Sequence, residues 1–402
     1  MRQAYGVLPV YAGDVSGVAS ALFELGGMTV IDDPSGCNST YNTHDETRWY
    51  DHDSLIFISG LRDVDAIMGN DEKLVSDVTE AVRQTHPAFV TLVCSPIPYQ
   101  VGRDFAAIAR EVEARTGVPT YHVGTNGMHD YARGAGLAFE MLARHEVREP
   151  EAGDCPKLQG TAGRRVNVLG MTPLDFAGTN PDSLRTWLGM LGFSVVSCWA
   201  MGDGLDAVRG AALADVNLVV SATGLRAARV LRQRFGTPYV VGLPMEGFSG
   251  PLACALSRSC ADGACRVAYE DARRKVACPG QAKTVLVGEP VQMGSIAASL
   301  AVADVSVRLA SPLEETDALL DAGLGDAVVR GEEGIVRAIA GAKAVVGDPF
   351  VELVCTGQRF VRLPHFAYSG RQWLHEIPDL VRFKPLDLLG QLCVTEDEEV
   401  RR

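Results

Sequence analysis

An α/β protein of three Rossmann-like domains, with parallel sheets around a central cleft, is the fold class this sequence predicts. Short apolar runs rich in β-branched residues recur along the 402-residue chain, and stretches of helical periodicity stand between them. Gly/Pro-rich turns close many of the runs, as where strands feed crossover helices. The alternation breaks at 151–164, a Pro/Gly/acid-rich linker, and restarts again near Gln281. The expected domains are therefore 1–150, 165–280 and 281–402.

In the first domain a helix is expected over Asp14–Leu25 and strands over Met28–Ile31 and Ser54–Ile58, with an amphipathic helix at Lys73–Gln84. Phe89–Val93 is dense in β-branched and aromatic residues, so it reads as a strand. The helix Gly102–Thr116 stops at Gly117-Val118-Pro119 before a strand at Thr120–Val123. The second domain opens on the strand Val166–Leu169, then a helix over Asn180–Met190 with Pro181 in its first turn, then strands Phe193–Ser197 and Val216–Val220. The third begins with Thr284–Val287 and a helix from about Gly294. Strands at Val305–Leu309, Ala327–Val329 and Ala344–Val346 continue it, with Glu332–Ala340 helical.

Composition narrows the function classes. A formal charge of −13 with no basic cluster argues against a nucleic-acid surface. The N-terminal apolar run is broken by proline and glycine, so neither a signal peptide nor a membrane span is expected, and a cytoplasmic setting is. Ten cysteines at irregular spacings do not form a secreted disulfide framework. No Gly-x-Gly-x-x-Gly follows the strand at Val166, and no Gly-x4-Gly-Lys-Ser/Thr occurs, so dinucleotide and P-loop fingerprints are both absent.

Two cysteines stand out by context. Cys37, in VIDDPSGCNST, and Cys94, in FVTLVCSPIPYQVGRD, each follow an apolar run and sit in a turn, where α/β folds place their chemistry. The alternative for each is a buried, inert thiol. Cys198 and Cys355 also end apolar runs, and Cys155 lies in the linker; for these the packing role is the simpler reading. Cys254, Cys260, Cys265 and Cys278 are spaced C-x5-C-x4-C-x12-C, unlike structural zinc or ferredoxin patterns. A helix over Arg266–Val276 would hold Cys278 roughly 16 Å from the others.

Three segments in order, SGC at Ser35–Cys37, ISGLRDVDAIMGNDEKL at Ile58–Leu74 and VTLVCSPIPYQVGRDF at Val90–Phe105, resemble the nitrogenase component 1 type family. That family includes nitrogenase molybdenum–iron subunits, dark-operative protochlorophyllide reductase and nickel-tetrapyrrole reductase. The resemblance implies a [4Fe-4S] cluster held by Cys37 and Cys94 and completed across a homodimer or heterodimer interface, with Gly36, Ser95 and Gly102 lining it. Asp32 or Asp33 is a further oxygen-ligand candidate. The resemblance also implies an ATP-dependent iron–sulfur reductase as electron-donating partner and a small-molecule substrate in the cleft. RFVRLPHFAYSGRQWLHE resembles the family's cleft-facing segment, so His365 and Arg371 are the expected catalytic residues. Ser221 stands where catalytic subunits of the family carry a cofactor-holding cysteine. An iron–sulfur reductase subunit is thus the primary expectation, with a cofactor-assembly scaffold or a non-metal small-molecule binding protein as alternatives.

Overall fold

The computed structural model describes residues 6–8, 10–34, 46–49, 51–53, 55–150, 163–276 and 282–392. Its strands are β1 (Met28–Asp32), β2 (Leu55–Ile58), β3 (Val90–Cys94), β4 (Thr120–His122), β5 (Arg164–Leu169), β6 (Phe193–Cys198), β7 (Val216–Val219), β8 (Tyr239–Val241), β9 (Arg266–Val267), β10 (Thr284–Val287), β11 (Val307–Ser311), β12 (Ala327–Val328), β13 (Ala344–Gly347) and β14 (Arg359–Arg362). They form three sheets, ordered β2-β1-β3-β4, β6-β5-β7-β8-β9 and β12-β11-β10-β13-β14. Every strand pair is parallel. The expected α/β class and parallel order are what the structure has.

Each sheet reverses its direction of growth once. The reversals fall between β1 and β3, between β5 and β7, and between β10 and β13. At such a reversal the crossover helices leave on opposite faces, which opens a crevice at the carboxyl ends of the two strands. The central strands β1, β3, β7, β10 and β13 are buried along their whole length, so they read as continuous apolar runs rather than alternating ones.

One hydrophobic core runs through all three sheets, from Val18 and Phe139 through Val168 and Trp199 to Leu286 and Ile296. At its centre the helices Asp14–Leu22 and Tyr131–His145 pack with backbones almost touching. A Cβ on Gly17 would lie 2.1 Å from the Tyr131 carbonyl oxygen, and one on Gly134 would lie 1.9 Å from that of Asp14. Only glycine permits this approach.

Several boundaries differ from the expectations, for local reasons. The helix expected from Gly102 starts at Phe105, because the Asp104 side chain accepts from the Ala107 N–H and caps it. The helix expected from Gly294 begins at Pro290, with Glu289 as its cap. The third-sheet strand expected at Val305 starts at Val307. The helix expected over Arg266–Val276 divides into β9 and a shorter helix, Ala268–Arg274. Strands β8, β9 and β14 and the helix Ser249–Asp262, which lies in the cysteine-rich stretch, are additions to the expected elements.

Candidate functional site at the three sheet reversals

The first reversal holds Cys94. Strand register sets it directly beside Asp32, and both side chains are buried. The Cys94 Sγ donates to the Thr125 carbonyl at 2.9 Å, while the Thr125 hydroxyl donates to the Cys94 carbonyl and accepts from its N–H. Burial, then the nearby Asp32 and Asp14 carboxyls, push the thiol up to about 12. Such a sulfur is a poor nucleophile at neutral pH, leaving a packing role or metal ligation, in which iron would replace the proton.

Both oxygens of Asp32 already carry a contact. Its Oδ1 accepts from the Ser59 hydroxyl at 2.5 Å, and its Oδ2 pairs with the buried Arg103 at 2.9 Å. Ser95 is buried, its N–H donates to the Asp32 carbonyl, and its hydroxyl has no partner among the described residues. Gly102 is exposed in a left-handed turn at φ +74°. Gly36 and Cys37 lie outside the described residues, as do Cys155 and Cys278.

The second and third reversals converge on a buried polar cluster. Asp175 lies just beyond β5, in the helix Pro173–Phe176. Its Oδ1 accepts a short hydrogen bond from the Tyr131 hydroxyl, and its Oδ2 accepts from Thr172. Glu289 follows β10 and is fully buried. One of its oxygens accepts from the Ala222 N–H, just past β7, and the other from the Gln292 N–H, so it ties the second sheet to the third. Burial first, and then Asp175, push this carboxyl up to about 8.

His365 and Tyr368 complete the cluster from the segment after β14. The imidazole Nε2 is 3.3 Å from Asp175 Oδ1. That is ion-pair distance without hydrogen-bond alignment, so neither ring nitrogen nor the Tyr368 hydroxyl has a hydrogen-bond partner among the described residues. The His365 N–H donates to Asp348, which stands at the end of β13. Arg371 does not join the group: its side chain is exposed and reaches the Glu46 carbonyl at 3.4 Å. Ser221 is buried, donating to the Gly170 carbonyl beside Thr223.

Beside this cluster a cleft of about 1040 Å³ opens between the first and third sheets, with Ala12, His129, Asp130, Leu313 and Glu314 in its wall. Ala12 and Leu313 also pack against Tyr131 and Tyr368, so the cleft and the buried cluster share a wall. Asp130, accepting from the Glu314 N–H at 2.5 Å, is pushed up to about 6 by burial.

Of the expected site residues, the structure places His365 within the cluster and Cys94 and Ser95 at the first reversal. Asp175, Glu289 and Tyr131 were not singled out from sequence. The signal for Glu289 was Gly-Glu-Pro directly after an apolar run. Asp175 and Tyr131 carry no local signal.

The description nitrogenase component 1 type oxidoreductase matches residues 16–250, more than half of the chain. The chain belongs to this family. Among curated relatives it is 28% identical over 193 residues to the nitrogenase iron–molybdenum cofactor biosynthesis protein NifE of Klebsiella pneumoniae, covering 47% of this chain and 42% of that protein. To the nitrogenase molybdenum–iron protein alpha chain of Methanosarcina barkeri it is 21% identical over 189 residues, covering 45% of this chain and 33% of the other. The matched stretches thus span less than half the length of these relatives. The structure of nitrogenase Cp1 at pH 6.5 superimposes with a TM-score of 0.63 at 15% identity, over 99% of this chain and 97% of that one. This likeness is one of fold.

The family implies iron–sulfur chemistry. Among the described residues no group of three or more His, Cys, Asp or Glu side chains is arranged to hold a metal ion. Cys94 fits as one sulfur donor at a sheet reversal, and a cluster there would need further sulfur from Cys37 and a second subunit. At the inner junction the donor set is carboxyl, phenol and imidazole, with a hydroxyl at Ser221. It does not fit a large metal–sulfur cofactor.

Proposed function

We propose that this chain is the substrate-reducing subunit of a nitrogenase-like iron–sulfur reductase. The observation that carries the reading is the convergence of two sheet reversals on buried, protonatable side chains, with a cysteine at the third. Reduction of an organic small molecule needs an electron and a proton at one place. A bound [4Fe-4S] cluster, held by Cys37 and Cys94 with Gly36, Ser95 and Gly102 beside it, would supply low-potential electrons one at a time. Two cysteines per chain fall short of the four thiolates such a cluster takes, so a homodimer or a related second subunit completes the set. Membership of the family suggests an ATP-dependent iron–sulfur reductase as the electron-donating partner, in a cytoplasmic setting.

The chain's own residues handle the proton. Cys94 and Tyr131 stand at either end of one short stretch: Thr125 holds the Cys94 thiol, and Asp14 accepts from the N–H groups of Asn126 and Gly127. That stretch couples the electron side to the proton side. His365, beside Asp175 and behind the wall of the cleft, is the proton donor to substrate. Arg371, anchored on Glu46, serves as a positioning residue for the segment that carries His365.

A second reading, a scaffold for cofactor assembly, is favoured by the NifE relatives. It asks for a thiolate or open metal position in the inner junction, and Ser221 and the carboxyl cluster argue against that. The experiment is anaerobic purification of the Cys37→Ala and Cys94→Ala proteins with iron analysis and circular dichroism. Both variants are expected to lose most bound iron and keep their fold. Unchanged iron per dimer sinks the assignment, and iron that passes to an acceptor apoprotein without any substrate turnover makes the chain a scaffold.

A further inference from the structure

Three polar atoms on one turn are buried and have no hydrogen-bond partner among the described residues: both ring nitrogens of His365 and the hydroxyl of Tyr368. The two rings meet edge to face, with centroids 4.6 Å apart. Leaving such atoms unpaired costs free energy, and proteins keep them where a ligand or water supplies the missing contact. Between this pair and the cleft runs the segment before the first helix, described over 6–8 and 10–13. Val10 and Ala12 line the cleft and also pack in the apolar group that holds Phe366 and Tyr368. Four amide bonds of this segment rest on two oxygen atoms. The N–H groups of Gly6 and Val7 both donate to Glu332 Oε2, at 2.7 and 2.8 Å, and those of Tyr11 and Ala12 both donate to the Ala367 carbonyl at 2.9 Å. Ala367 belongs to the same short helix as Tyr368, so the cover is latched to the turn it hides. Leu8 and Tyr11 are exposed, so lifting the segment uncovers little apolar surface.

We infer that this segment is a strap that closes the way from the cleft to His365 and Tyr368, and that a small molecule reaches the pair when the strap lifts from Ala367. Gly13, bridged to Asp130 ahead of the helix Asp14–Leu22, is its fixed end. On lifting, water replaces the four hydrogen bonds, so the opening costs far less than unfolding the core. The chemistry that meets the pair is a polar group that accepts from the Tyr368 hydroxyl and pairs with an imidazole nitrogen, as a carboxamide does with its oxygen and its N–H. Only the identification of that molecule as the substrate rests on the reductase reading above; the strap and the pair it covers do not.

Hydrogen exchange and diethyl pyrocarbonate modification of the intact protein, both read by peptide mass spectrometry, test the strap without any substrate. The reagent acylates an imidazole nitrogen that it can reach. In the parent protein the amides of Val7, Tyr11 and Ala12 should exchange at least about 100-fold faster than those of the central strand Thr284–Val287, and His365 should be modified slowly. Glu332→Ala removes one of the two latches, so strap exchange and His365 modification should rise together by about tenfold, while the exposed His375 reacts at its parent rate. Glu332→Gln keeps an acceptor oxygen and should bring both rates back towards those of the parent. Exchange in Thr284–Val287 should be the same in all three proteins; where Glu332→Ala speeds it, the comparison of parent with Glu332→Gln decides. Strap amides as protected as that strand, or a His365 rate unmoved while the strap loosens, overturns the inference. Iron retained in Cys94→Ala would instead sink the reductase reading and leave the strap standing.

Discussion

Glu289 is where a single residue bears on both stability and chemistry. Its carboxyl ordinarily titrates near 4.5 and in the fold is pushed up to about 8. Below pH 4.5 both folded and unfolded chains hold the proton. Between 4.5 and 8 the folded chain holds it and the unfolded chain does not, so the native state binds more protons and stability falls as pH rises through that window. Asp14, Asp130 and Asp348, also raised by burial, act in the same direction. Denaturant midpoints measured from pH 5 to 8.5 should therefore decline, and Glu289→Gln should flatten the slope without erasing it. A slope identical to that of the parent protein would mean that Glu289 is ionised throughout.

At the scale of elements, the contact between the helices Asp14–Leu22 and Tyr131–His145 sets the site. Asp14 begins one helix and accepts from Asn126 and Gly127, just ahead of the other; Tyr131 begins the second and donates to Asp175. Their spacing is fixed by Gly17 and Gly134. Gly134→Ala should push the helices apart, at a cost of about 1–3 kcal/mol or more from overpacking in a core with no space for the methyl group. Because Tyr131 would move with its helix, the Tyr131–Asp175 bond should weaken too. Chemical denaturation reads the first effect, and the near-ultraviolet circular dichroism of the tyrosines the second. Loss of neither would mean that the backbone yields freely at this crossing.

At the scale of the whole molecule, Arg48 joins separate parts of the chain. Buried between the first and second sheets, it pairs with Glu46 and Glu24 and donates to the carbonyls of Ser20 and Ala200. Arg371, from beyond the third sheet, reaches the Glu46 carbonyl of the same short segment. Replacing Arg48 with Met takes the guanidinium away from the buried Glu46 and the half-buried Glu24, and breaking a buried pair in this way costs about 3–5 kcal/mol. The denaturation midpoint should drop accordingly. The double variant Arg48→Met, Glu46→Gln should recover part of the loss, since one buried negative charge is then removed; no recovery would place the cost in packing rather than charge.

The sequence by itself determined the α/β class, the parallel order and most of the central strands. It did so because a strand covered on both faces must be apolar at every position, and runs such as Val90–Cys94 and Thr284–Val287 are legible without neighbours. It also singled out Cys94, through a turn after a strand, and His365, through resemblance. Edge strands β9 and β14 escaped, since arginines at Arg266, Arg359 and Arg362 break up their apolar runs. Only the tertiary structure decided which acids matter. Asp175, Glu289 and Tyr131 are separated by tens of residues or more in the chain and become a cluster because the carboxyl ends of the second and third sheets meet there, with Tyr131 reaching in from the helix that follows the first. Charge on a side chain is local information, whereas the absence of water and of a counter-ion around it belongs to the fold.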